Sequence, residues 1–332
     1  MMIEIDGSWG EGGGQILRTA IALASIKSTD VRIFNIRSHR PQPGLKAQHM
    51  KAIDAAAKLC DAEVKGLYMG SQEITYSPME IKGATLAVDI GTAGSIPLLL
   101  QCIMPMTAYS SGEISLEITG GTDVAWSPTI DYLNNVTCKA LKKMGYNCII
   151  EVLKRGYYPE GGGKVRASFE PAKLHGFEFE KKEEDIKGIS HSSKLPEHIA
   201  QRQALAAKRL LKNTRIECDI KVCTKNELST GSGITLWKDY IGASHLGKKG
   251  LPAEKVGEMA AEQMIRYLGS GASVDPYLAD QLITYLGLAG SGSFTTCKVS
   301  KHTLTNIHIT ELLLDMEFDI HKNDKLTRIS VK

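Results

Sequence analysis

The sequence predicts an α+β fold, a large domain of repeated α+β units carrying a smaller inserted α/β domain. Three observations lead there. A glycine-rich element recurs beside similar strand and helix signals, as EGGGQ at 11, TGGTDV at 119, PEGGGKV at 159 and LAGSGSF at 288, which suits duplicated units of about 80–90 residues. Stretches with helical and with strand periodicity are interleaved along the chain. Near residue 176 the texture turns charged, in HGFEFEKKEEDIKG, and the glycine-containing pattern resumes only after about residue 270, as when a small domain is inserted where few contacts need cross.

Apolar spacing predicts helices over 14–26, 45–60, 92–107, 129–144, 197–212, 252–268 and 275–288. Thr92 is placed to cap the third and Gly145 follows the fourth; Pro252 opens the sixth, where a missing N–H costs nothing. Between them GEISLEIT, NCIIEVL, KVRASFE, RIECDIKVC and ITLWKDY alternate or run apolar as strands do, and MEFDIHKNDKLTRISV reads as a hairpin turning at Asn323 and Asp324. The expected large domain covers 1–177 and 273–332, and the insert 178–272.

With 332 residues and 42% hydrophobic content, the chain can fill real cores. Neither a basic-then-apolar leader nor an uninterrupted apolar stretch of the roughly 18 residues that a span requires is found, so a cytoplasmic protein without a membrane partner is expected. The seven cysteines are odd in number and form no CxxC pair, which favours buried free thiols over disulfides or zinc. A net charge of +3 permits a polyanionic partner without demanding one.

Candidate chemistry begins in IDGSWGEGGGQILR, where a glycine run opens a helix. Backbone N–H groups and the positive end of the helix dipole then face whatever lies in front, which favours phosphate or carboxylate. The run lacks the Lys-Ser/Thr of a P-loop and the spacing of a dinucleotide turn. Arg18 lies one turn into the helix, Glu11 precedes the glycines, and RSHRPQPGLKAQH adds Arg37, Arg40, Gln48 and His49 from a second loop. Guanidinium groups clamp phosphate oxygens in a planar fork, and a carboxylate beside a phosphate suits a divalent metal. Glu11 is the candidate metal-side residue, although its charge would equally stabilise a helix start.

DGSWGEGGGQILR, RPQPGLKAQH, GTAGSIPLLLQ, GGTDVAWSPTIDY, RGYYPEGGGKV, PEHIAQR, PAEKVGEMAAE, YLADQL and HTLTNI, in this order over nearly the whole length, resemble the RNA 3′-terminal phosphate cyclase family. The resemblance implies βαβαββ repeats and a three-step reaction. A histidine takes AMP from ATP and releases pyrophosphate, AMP passes to the RNA 3′-phosphate, and the neighbouring 2′-hydroxyl closes a cyclic phosphodiester and expels AMP. It assigns the nucleophile to His302, ATP contacts to Gln101 and to Tyr277, Leu278, Ala279, Asp280 and Gln281, and the RNA terminal phosphate to Arg18, Arg37, Arg40 and Gln48. ATP and Mg or Mn are the cofactors implied. RNA ending in a 3′-phosphate is the partner, and a homodimer is compatible with the resemblance.

Chemistry alone does not choose among the nine histidines. Beside His302, Thr303, Thr305 and Asn306 suit helix capping or ring orientation, and His308 reads as packing. Lys194, Arg202, Lys208 and Arg209 of the insert form a solvated helix face that would also suit RNA. Two other readings stand beside the cyclase: an enolpyruvyl-transferase-like enzyme, which would not consume ATP, and a non-catalytic ribosome-assembly relative, which is expected to lack the nucleophilic histidine.

Overall fold

The computed structural model describes residues 2–181, 184–213 and 216–332. Lys182 and Glu183 of the charged stretch, and Arg215 of an expected strand, lie outside the described residues.

The first unit runs β1 (Ile3–Asp6), α1 (Gly14–Lys27), β2 (Val31–Phe34), α2 (Ala47–Leu59), β3 (Glu63–Lys65), β4 (Ile74–Ser77). Its sheet has the order β1-β2-β4-β3, with β1 and β2 parallel and the other pairs antiparallel. The second unit repeats this. It comprises β5 (Ala84–Asp89), α3 (Ile96–Thr107), β6 (Ile114–Gly120), a helical stretch, β7 (Cys148–Lys154) and β8 (Gly163–Phe169), in the order β5-β6-β8-β7. The helical stretch is α4 (Ile130–Tyr132), a π-helical turn at Leu133–Thr137 and α5 (Cys138–Lys143). In β6 every second residue is buried, as expected of a sheet with one face on the core.

The third unit is interrupted. Residues 177–179 take the first-strand position, with Phe179 N–H donating to Ser293 C=O and Ser293 N–H to Phe177 C=O. The chain then leaves for β9 (Ile186–Ser193), α6 (His198–Lys212), β10 (Cys218–Lys225), β11 (Gly231–Lys238), β12 (Ile241–Leu246) and α7 (Ala253–Ser270). These form a separate sheet, β10-β9-β11-β12, whose apolar cluster from Ile186 to Met264 is its own. On its return Val274 pairs in parallel with Thr296, and the unit is completed by α8 (Pro276–Ala289), β13 (Ser293–Thr296), α9 (Lys301–Leu314), β14 (Phe318–Lys322) and β15 (Thr327–Val331). The insertion thus opens the third repeat within its first strand, and α1, α3, α8 and α9 bury their apolar sides in one core.

Two expectations change. The third helix starts at Ile96, capped by Ser95, whose Oγ accepts from Leu98 N–H at 3.1 Å. Thr92 instead accepts from Gly94 N–H inside the preceding turn. Helix α9 was absent from the expected helices, and it carries His302. The seven cysteines are all free, three of them buried, and no described helix is long and apolar enough to cross a membrane.

Candidate active site

First turns of three helices meet at the candidate site. The turn before α1 is left-handed at Gly10 (φ 61°) and Gly12 (φ 58°), and Gly13 caps the helix without a side chain. The glycines also clear space for the side chains of Arg40 and His49. A Cβ on Gly13 would stand 3.1 Å from Arg40 Nη2, and one on Gly14 would run into the imidazole Nε2 of His49. Gly14 needs no unusual φ; it is the approach of His49 that excludes a side chain.

Glu11 lies in this turn between two partners. One carboxylate oxygen meets Arg40 Nη2, and the other, Oε2, lies 2.7 Å from His302 Nδ1. The last pair is off the line of a directed hydrogen bond, so both atoms keep bonding capacity despite their burial. His302 stands in the first turn of α9, which Ser300 and Thr303 close reciprocally as a capping box. Burial lowers the His302 pKa below 6.5, Glu11 opposes this, and Arg18 and Arg40 add to it. The ring is therefore neutral at pH 7.

Arg18 is enclosed by the site. Its Nη2 meets Gln15 Oε1, while its buried Nε finds no partner, as expected of a guanidinium waiting for an anion. Burial also pushes the Asp280 carboxyl up to about 8, against the pull of Arg18. His49 is held down to about 3 by burial and by Arg18, Arg37 and Lys46. Its Nδ1 accepts from Lys46 N–H at 3.2 Å, which leaves the proton of the neutral ring on Nε2, against the glycine turn.

The other expected residues fall in two places. Arg37, in a left-handed conformation (φ 53°), donates from Nη1 to the carbonyls of Gln42 and Gly44 and so shapes its own loop. Gln48 reaches the second unit, its Oε1 accepting from Ser95 N–H at 2.9 Å. Gln101 and Gln281 line a small, mostly apolar pocket, with Gln15, Thr19, Thr137 and Asn306 beside Ala22, Met104, Pro105 and Leu133. Tyr277 is about half exposed, whereas Leu278 and Ala279 are wholly buried in the core, and their N–H groups already donate to Asp275.

Sequence reasoning missed the hub between these groups. Asn306 Oδ1 accepts from Thr19 Oγ1 at 2.7 Å and Gln15 Nε2 at 2.9 Å, and its Nδ2 donates to Asp280 C=O at 2.7 Å. It joins α1, α8 and α9, rather than capping a helix. His308 does pack, stacking on Trp9 with ring centroids 4.1 Å apart.

A metal fits here through Glu11, whose Oε2 is a buried hard oxygen without a directed partner, and one carboxylate with substrate phosphates commonly suffices for Mg²⁺. Elsewhere Asp123, Asp131 and His191 bring possible ligand atoms within 4.8 Å of one another. Arg155 already bridges both carboxylates, at 3.0 and 2.8 Å, and the network ties the second unit to the insert.

A family model described as RNA 3′-terminal phosphate cyclase matches residues 9–320. Curated relatives named RNA 3′-terminal phosphate cyclase include that of Methanosarcina barkeri, 54% identical over 99% of this chain and all of its own, and that of Methanococcoides burtonii, 56% identical over the whole of both. The protein of that name from Pyrococcus furiosus is 45% identical over 96% of this chain and 95% of its own. A crystal structure of the enolpyruvyl transferase NikO from Streptomyces tendae matches 49% of this chain and 32% of that chain at 14% identity, and its TM-score of 0.27 is too low to bear on the fold.

Proposed function

Because the chain belongs to the RNA 3′-terminal phosphate cyclase family, we propose that it uses ATP to convert an RNA 3′-terminal phosphate into a 2′,3′-cyclic phosphodiester. The observation that carries this reading is His302, half-buried against Glu11 and within the influence of Arg18 and Arg40.

A phosphate monoester is a poor electrophile because its leaving group would be oxide or hydroxide, and adenylylation supplies a better one. His302 Nε2 attacks the α-phosphorus of ATP and pyrophosphate leaves; splitting the transfer this way replaces one hard step by easier ones. An oxygen of the RNA phosphate next attacks the same phosphorus and His302 leaves. The ribose 2′-oxygen then attacks the RNA phosphorus, loses its proton, and AMP departs. Intramolecular attack with good alignment reaches effective molarities of roughly 10⁵–10⁸ M, so positioning is most of what closure requires.

Glu11 lies against Nδ1 of His302, which leaves Nε2 as the attacking atom. Arg18 and Arg40 neutralise phosphate charge, and Gln48 fixes the neighbouring loop. Gln101, Gln281, Tyr277 and Asp280 are the proposed nucleoside contacts, and the cavity of about 20 Å³ between Gln101 and Gln281 has to widen to admit a base. A divalent Mg or Mn, held by Glu11, would supply further charge neutralisation on the phosphates. We further propose residues 178–272 as the inserted unit, a cytoplasmic location, and a homodimer. The test is incubation of a 3′-phosphorylated RNA with ATP. A phosphatase-resistant end with one AMP and one pyrophosphate per end is expected; an unchanged 3′-phosphate would overturn the reading.

A further inference from the structure

Trp126 stands 99% exposed at the tip of a loop, in a left-handed conformation (φ 60°) that a bulky side chain rarely adopts. The other two tryptophans have company: Trp9 stacks on His308, and Trp237 packs against the main core. The loop beneath Trp126 is fixed. Ile130 N–H donates to Thr122 C=O and closes it, Ser127 Oγ donates to Pro128 C=O, and Thr122 and Asp123 N–H both donate to Gly156 C=O.

That last pair of bonds joins the loop to a second one, whose tip carries Tyr158, 76% exposed. Tyr157 anchors it, its hydroxyl 2.7 Å from His191 Nδ1 and its N–H donating to Ser229 Oγ at 2.8 Å. Two aromatic rings are thus presented to solvent on stiff supports, and Arg155, three residues before Tyr158, is consumed by Asp123 and Asp131. What Trp126 and Tyr158 themselves offer a partner is ring faces.

The platform continues from the candidate phosphate site. Gln48 accepts from Ser95 N–H, Ser95 Oγ meets Ser127 Oγ, and Ser127 follows Trp126 in sequence. We propose that Trp126, with Tyr158 in the adjoining loop, stacks unpaired bases of the RNA strand preceding the 3′-terminal phosphate. This rests on the proposed function. Every base has a π face, so the contact is tolerant of sequence.

The test compares a 3′-phosphorylated RNA decamer with a nucleoside 3′-monophosphate on the full chain and its Trp126→Ala and Trp126→Phe variants. Labelling of the protein by ATP, which needs no RNA, serves as the control for an intact site. Trp126→Ala should raise the KM for the decamer about 5- to 150-fold, the range for loss of one stacked base. The mononucleotide KM should not move, Trp126→Phe should restore most of the loss, and the salt dependence of KM should be unchanged because no phosphate contact is removed. Decamer quenching of the fluorescence lost in Trp126→Phe would show stacking directly, even if ATP fails to label the wild type and the functional reading falls. Labelled protein with an unchanged decamer KM overturns the platform, as does an equal rise for both substrates. A dimer that Trp126→Ala converts to monomer would instead give this face to a second copy of the chain.

Discussion

His302 Nδ1 lies 2.7 Å from Glu11 Oε2, a contact between α9 and the turn before α1 that spans nearly the whole sequence. It sets a carboxylate oxygen beside Nδ1 of the imidazole, off the line of a hydrogen bond, on the side of the ring away from Nε2. Removing the carboxylate should therefore alter both rate and titration. In Glu11→Gln, labelling by ATP at pH 7.5 should fall on the order of 100-fold, the scale of a lost acid–base or orienting contact. Glu11 raises the His302 pKa while burial, Arg18 and Arg40 lower it, so the acid limb of the labelling profile should move to lower pH in the variant. A pH series of labelling rates checks both.

Arg18→Ala should spare labelling of the protein and slow transfer of AMP to RNA. The buried Nε without a partner marks this guanidinium for an anion that the protein does not itself supply. A charge-assisted hydrogen bond contributes about 1.5–3 kcal/mol, a loss of roughly 10- to 150-fold in the second step. Pre-labelled enzyme chased with 3′-phosphorylated RNA measures that step alone; an equal drop in both steps would place Arg18 on ATP instead.

Asp280 should make stability fall as pH rises. Burial holds its carboxyl near 8 in the folded chain against a reference value of 3.8. Between those values the folded state keeps a proton that the unfolded state has released, so each rise in pH favours unfolding. In Asp280→Asn that contribution is gone. Its melting midpoint should exceed the wild type's at pH 8.5 and approach it near pH 4, read by thermal melts across the range.

Asn306→Ala should loosen the joint of three helices. It removes acceptor and donor together and leaves Thr19 Oγ1 and Asp280 C=O short of partners. A cost of about 1–3 kcal/mol is expected for such buried groups, measurable as a lower denaturant midpoint, with a raised KM for ATP because Asn306 lines the pocket proposed to widen for the nucleoside.

Much of this was legible in the sequence. Repeats were expected, yet the glycine elements offered for them fall at unlike positions, before α1, after β6, before β8 and before β13; the shift of texture near 176 matches the chain leaving after residues 177–179. The hairpin turn fell where expected, with Asn323 N–H donating to Leu326 C=O. Helix α9 was not legible because Thr303, Thr305, Ile307 and Ile309 present β-branched residues at every second position, the pattern of a strand. Packing on α1 and α8 decides otherwise. The signal available was Ser300 three residues before Thr303, a hydroxyl pair at capping-box spacing. The pairing of Glu11 with His302 could not be read at all, since it joins opposite ends of the chain. Arg37 has a structural tie that its type and position did not announce, its Nη1 donating to two loop carbonyls.

The central claim is that His302 carries AMP. The most direct measurement is incubation with ATP labelled in its α-phosphate, with Mg²⁺ or Mn²⁺, followed by denaturing separation beside His302→Ala. Label on the wild type that is acid-labile, alkali-stable and absent from the variant is the predicted result. A folded wild type that takes no label with either metal, or a His302→Ala variant labelled as fully as the wild type, would contradict it.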